Sequence, residues 1–204
     1  MFTSQLFRAL ILFVGGLATS SVWAHTNPSM VDHQHAFFSG LLHPWTGIDH
    51  LLVMLAVGIW ARFHANRIGL APLVFVLAMT IGFQASQWSA YTPDPEFMIA
   101  MSVLVMGLLL SKTTSTSMLL IWPLLLIFGM AHGMAHGLEA GEGPQFAFML
   151  GMLLSTSVLH LAGMVMGHML IGVNHLKLLR RMSGWSMALF GVSLLAPFWW
   201  MAAA

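Results

Sequence analysis

The sequence predicts an all-α protein: a polytopic membrane bundle of six transmembrane helices, preceded by a cleavable signal peptide. Three observations carry that prediction. The 204 residues are 58% hydrophobic and only 6% charged, with a mean hydropathy of +0.85, whereas a soluble domain carries about 25% charged residues. Beyond residue 24, six apolar segments recur, most near the ~20 residues that cross a bilayer. The charged residues then sort by sign into alternate connections. No stretch is long or polar enough for a soluble catalytic or nucleotide-binding domain, and there is no Walker-type loop. A net charge of +1 without a basic patch gives no reason to expect a nucleic-acid partner. With no cysteine, disulfides and thiolate metal sites are excluded, so any metal must use nitrogen, oxygen or thioether ligands. Eleven histidines in so apolar a chain are the compositional anomaly.

Residues 1–24 read as the signal peptide, with Arg8 as its positive region, Ala9 to Leu17 as its apolar region and Val22-Trp23-Ala24 as the cleavage site. The alternative is an uncleaved first membrane helix. Cleavage makes His25 the new N-terminus, whose amine and imidazole form a chelating pair with a proton that metal displaces readily. Residues 25–204 then form the transmembrane domain. Residues 25–43, with His25, Asp32, His33 and His35, read as a polar extracytoplasmic lead-in. His33 and His35 are either solvated loop residues or a metal-collecting tether.

The spans follow at about 46–62, 68–87, 97–111, 117–138, 145–170 and 183–202, the third of them short. Lipid leaves backbone amides no partner outside their own segment, and the segments lack the alternation of a barrel, so each is helical. Pro123 either kinks the fourth span or is absorbed in its first turns. Gly163 and Gly167 have helix-packing spacing. Trp45, Trp88, Trp199 and Trp200 stand where interfacial anchors are expected. The eighteen methionines read as packing rather than as copper ligands.

After the signal, every Lys and Arg follows an odd-numbered span: Arg62 and Arg67, then Lys112, then Lys177, Arg180 and Arg181. Every Asp and Glu, namely Asp32, Asp49, Asp94, Glu96, Glu139 and Glu142, falls at the opposite ends. The positive-inside rule makes the basic connections cytoplasmic and puts the mature N-terminus outside, which for the expected bacterial inner membrane is the periplasm.

Two polar clusters interrupt this pattern. One is His43-Pro44-Trp45-Thr46-Gly47-Ile48-Asp49-His50 at the mouth of the first span; the other is His132-Gly133-Met134-Ala135-His136-Gly137-Leu138-Glu139 at the end of the fourth. An ionised carboxylate inside a spanning helix costs roughly 2.5–3.5 kcal/mol on insertion scales, so it needs a partner or a task. His132, His136 and Glu139 share a helical face, and His43 and His50 share one if the first helix begins that early. The first and fourth spans are antiparallel, so both clusters reach the outer third of the bilayer. Together they can enclose a divalent transition-metal ion, with some acids holding imidazoles rather than the ion. His160, His168 and His175 read as hydrogen-bonding residues between helices, with an inward path past His160 as the alternative.

The two clusters, His-Pro-x-x-Gly-x-Asp-His at 43–50 and His-Gly-x-Ala-His-Gly-x-Glu at 132–139, resemble the two signature motifs of the HupE/UreJ family. The resemblance covers essentially the whole chain. It implies a small permease for Ni2+ or Co2+, with His43, Asp49, His50, His132, His136 and Glu139 as transport residues and no prosthetic group. It also implies a link to hydrogenase or urease maturation. An intramembrane metal hydrolase or oxidase and a non-transporting metal-binding accessory are the rival readings of the same histidines.

Overall fold

The computed structural model describes residues 33–64, 69–88, 94–112, 117–141, 143–171 and 174–203. The signal segment, His25 and Asp32 lie outside the described residues, as do Arg67 and Glu142 and the side chains of His175 and Trp200. Seven helices and no strand occur among the described residues: α1 (His33–Thr46), α2 (Ile48–Phe63), α3 (Leu70–Ser86), α4 (Pro95–Ser111), α5 (Met118–Glu139), α6 (Gln145–Met169) and α7 (Asn174–Ala203).

Three of these helices contain stretches long and apolar enough to cross a membrane: Leu119–Glu139, Gln145–Met169 and Lys177–Trp199. The pair α1 and α2 passes the same test together but is bent by 81°. Helices α3 and α4 are apolar and have 17 residues each, which at ~1.5 Å per residue is somewhat short of the ~30 Å hydrocarbon core.

Helix α1 departs from the expected polar lead-in. Polar residues at 33–35 give way to Phe37, Phe38, Leu41 and Leu42, and Ala36, Gly40 and Pro44 form a buried face at spacing four. The chain breaks at Gly47, whose backbone is extended (φ −90°, ψ 113°), and restarts with the Leu51 N–H on the Gly47 carbonyl at 2.9 Å. His43 and His50 therefore do not share one helical face; they face each other across the bend. Pro44 lies near the end of α1, not at a helix start, and has no N–H to give Gly40. Trp45 is more than an anchor: its indole N–H donates to Ser155 Oγ of α6 at 2.7 Å. Helix α4 begins earlier than expected because Asp94 accepts from the backbone of Glu96 (3.0 Å) and Phe97 (3.5 Å) ahead of Pro95. Helix α5 runs through Pro123 unbroken. Helix α7 also starts before its expected span, taking Arg180 into the helix, where its guanidinium donates to the Lys112 carbonyl at 3.0 Å.

Glycines set the helix pairing. On α5, Gly129, Gly133 and Gly137 press on α3 backbone; a Cβ on Gly133 would overlap the Met79 carbonyl oxygen. Gly82 answers from α3 against Met130. On α6, Gly163 and Gly167 lie against Leu55, Ile59 and Arg62 of α2, and Gly151 lies against Phe37 and Leu41 of α1. Gly107 and Gly184 join α4 to α7. These contacts bring backbones together as lipid-embedded helices require. Met54, Met79, Met106 and Met152 fill the core between them, buried among Phe75, Val103 and Leu159.

Candidate metal centre

Helix α5 carries two ridges. The glycine ridge faces α3, and the histidines each precede a glycine by one residue, so they point about 100° away on a helix of 3.6 residues per turn. That rotation turns His132 and His136 toward α2, where His50 occupies the first turn. Glu139, one turn beyond His136, reaches His43 at the end of α1.

The four imidazoles form a continuous group. Ring centroids are 4.8 Å apart for His43 and His136, 4.7 Å for His50 and His136, and 5.1 Å for His50 and His132. Two imidazoles sharing one ion at metal–nitrogen distances of about 2.0–2.1 Å have centroids about 4.5–5 Å apart, so these spacings suit common ligation. One nitrogen or oxygen from each of His43, His136 and Glu139 also lies within 4.8 Å of the others.

The hydrogen bonds fix which ring nitrogens carry protons. His132 Nδ1 is 2.8 Å from the Phe128 carbonyl oxygen, which can only accept, so Nδ1 donates. His50 Nδ1 donates to Asp49 Oδ1 at 2.9 Å, and the same oxygen takes the His50 backbone N–H at 2.8 Å. His136 Nδ1 donates to Glu139 Oε2 at 3.3 Å. In a neutral imidazole the other nitrogen then bears a lone pair. Those three Nε2 atoms, on His50, His132 and His136, are buried and have no hydrogen-bond partner. A buried unpartnered polar atom costs about 1–3 kcal/mol. Three of them on touching rings, each with its opposite nitrogen pinned to a carboxylate or carbonyl, match the way proteins orient metal-binding histidines. Glu139 Oε2 accepts a further bond from His43 Nε2 at 2.8 Å and so ties α1 to α5.

The structure thus brings together His43, Asp49, His50, His132, His136 and Glu139. Two donor sets are available, the three Nε2 atoms and the His43/His136/Glu139 group, and His136 belongs to both. Asp49 is engaged with His50. His132 and His136 are wholly buried, whereas the Glu139 side chain is 42% exposed, so the group opens at the Glu139 end. Glu96, read from sequence only as an acidic helix end, lies within electrostatic reach of His50, Asp49 and Glu139. Of the other histidines, His33 and His35 are exposed at the start of α1. His168 Nδ1 accepts from the Arg62 guanidinium at 2.8 Å and so links α2 to α6. His160 is buried in α6 with neither ring nitrogen bonded.

Residues 12–194 match the family model described as HupE / UreJ protein. The chain is 29% identical over 184 residues to Protein HupE of Rhizobium leguminosarum bv. viciae, an alignment covering 89% of this chain and 94% of that one. No solved structure matches. With most of its length under the family model and both histidine motifs folded into one cluster, the chain belongs to the HupE/UreJ family.

Proposed function

We propose that the protein is an inner-membrane permease that passes Ni2+ or Co2+ into the cytoplasm through the cluster of His43, Asp49, His50, His132, His136 and Glu139. Nickel and cobalt transport is the usual business of the family. The observation that carries the reading is the set of three buried, unpartnered Nε2 atoms held by Asp49, Phe128 and Glu139. Imidazole nitrogen suits the late first-row divalent ions, and no harder oxygen cage is needed.

In this reading the chain crosses the membrane six times, with α1 folded back beside α6 on the periplasmic side. Exposed acids at that face, Glu96 and Glu139 among them, attract the cation. The buried histidines replace its water. The ion enters at the Glu139 end, where His43 and His136 share one carboxylate oxygen. A divalent ion moving inward gains about 4.6 kcal/mol per 100 mV of membrane potential, enough for accumulation without a nucleotide. Removal of residues 1–24 as a signal peptide would add the His25 amine and imidazole as a further ligand pair at the entrance. N-terminal sequencing of purified protein then begins at His25; a start at Met1 removes that pair.

The test of transport is uptake of radiolabelled nickel in cells expressing the protein, with nickel content measured in the purified chain. His50→Ala and His136→Ala should abolish both. Wild-type uptake in either variant refutes the permease mechanism, and metal-dependent turnover of a lipid or peptide by the purified chain favours a hydrolase.

A further inference from the structure

A second set of unpartnered donors lies on α6. Thr156 and His160 are four residues apart and so share a face. They are 0% and 1% exposed, and neither Thr156 Oγ1 nor either ring nitrogen of His160 has a hydrogen-bond partner. Several other hydroxyls behave differently. Thr80, Ser86, Ser102, Ser111 and Ser157 each donate to a carbonyl three or four residues back in their own helix, the usual resort of a hydroxyl in an apolar helix. Thr156 does not, and its neighbour Ser155 is taken by Trp45.

This pair communicates with the metal cluster through one side chain. The Phe75 ring packs edge-on against His132, with centroids 5.4 Å apart, and against His160, with centroids 5.5 Å apart. The two imidazoles therefore lie no farther apart than those distances combined. Phe75 is fully buried and offers the intervening surface no polar atom.

We propose that Thr156 and His160 form an inner cation-binding station that receives a partly dehydrated divalent transition-metal ion from the outer histidines. The proposal rests on the permease reading above. The outer cluster offers three or four imidazoles, whereas this station offers one imidazole and one hydroxyl, so water must complete its coordination. Sites of falling donor number along the route give an ion that is bound firmly at entry a place from which it can leave, as conduction requires.

Purified wild type, His160→Leu, His160→Gln and Thr156→Val are compared by calorimetric Ni2+ titration and by initial Ni2+ uptake into proteoliposomes. The station predicts that all three variants keep the wild-type Ni2+ affinity within about threefold, because the outer ligands are untouched. It also predicts that uptake falls about tenfold in His160→Leu, less in His160→Gln, which retains a donor, and severalfold in Thr156→Val. A packing role reverses that order, since leucine fills the site without burying a polar group. Wild-type uptake in His160→Leu, or faster uptake in His160→Leu than in His160→Gln, overturns the station. If His160→Leu is not monodisperse, Thr156→Val decides, and unchanged uptake in it overturns the station. Wild-type protein that neither binds nor takes up Ni2+ refutes the permease reading itself, and the station with it.

Discussion

Glu139→Gln separates the task of holding histidines from the task of holding the fold. The substitution keeps the shape and one accepting oxygen but removes the charge that receives His43 Nε2 at 2.8 Å and His136 Nδ1 at 3.3 Å. A charge-assisted hydrogen bond is roughly twice as strong as a neutral one, so each bond, were it fully buried, would lose about 1 kcal/mol. The Glu139 side chain is 42% exposed, however, and solvent screening leaves a total below about 1 kcal/mol. Thermal stability of the metal-free protein should therefore hardly change. Metal affinity should change more, because partners that orient a metal-binding imidazole are worth 10–100-fold, about 1.4–2.7 kcal/mol. Calorimetric titration of nickel into wild type and variant, alongside a thermal melt of each, measures both. Affinity within threefold of wild type, or a melt lowered as far as affinity is, refutes the assignment of Glu139 as the residue that orients His43 and His136.

Glu96→Gln should raise the half-saturating nickel concentration severalfold in low salt and much less at 0.5 M salt, since an exposed charge acts at range and is screened; uptake kinetics at the two ionic strengths check this. Trp45→Phe removes the N–H that reaches Ser155. Adding Ser155→Ala should cost little more, with a coupling of about 0.6 kcal/mol in a double-mutant cycle read by denaturation in detergent. Gly133→Ala places a methyl into the Met79 carbonyl and should yield misfolded or aggregated protein by size-exclusion chromatography, whereas the same change at Gly69, which has open space around it, should be tolerated.

Much of the helical layout was legible in the sequence because lipid leaves so few options. An apolar run must be helical, and its ends are marked by charges, so the expected segments 68–87, 117–138 and 145–170 fall within two residues of Leu70–Ser86, Met118–Glu139 and Gln145–Met169. The meeting of His50 with His132 and His136 followed from the same economy, since antiparallel spans carry their costly groups to one depth. Helix α1 was hidden because the polar residues before it dilute the apolar run from Phe37 to Leu42. The break at Gly47 was hidden too, since seven-residue spacing between His43 and His50 suits an unbroken helix equally well. Nothing in the sequence distinguishes Thr156 from Ser157; only the placement of carbonyls and neighbours shows that one hydroxyl is bonded and the other is not. Glu96 stands far from both motifs in sequence, and only the closeness of α4 to α2 and α5 brings it to the mouth.

The glycine contacts divide the helices into tightly fused blocks. One comprises α1, α2 and α6; another comprises α3 and α5; a third comprises α4 and α7. Backbone pressed on backbone leaves little room to slide, whereas flexible side chains such as Met between blocks adapt more readily. His43, His50 and His160 ride on the first block, and Phe75, His132, His136 and Glu139 ride on the second. Under the proposed permease reading the cluster would therefore be a bolt across a seam: an ion gripped from both sides would lock the two slabs in register, and its departure would free them to shear.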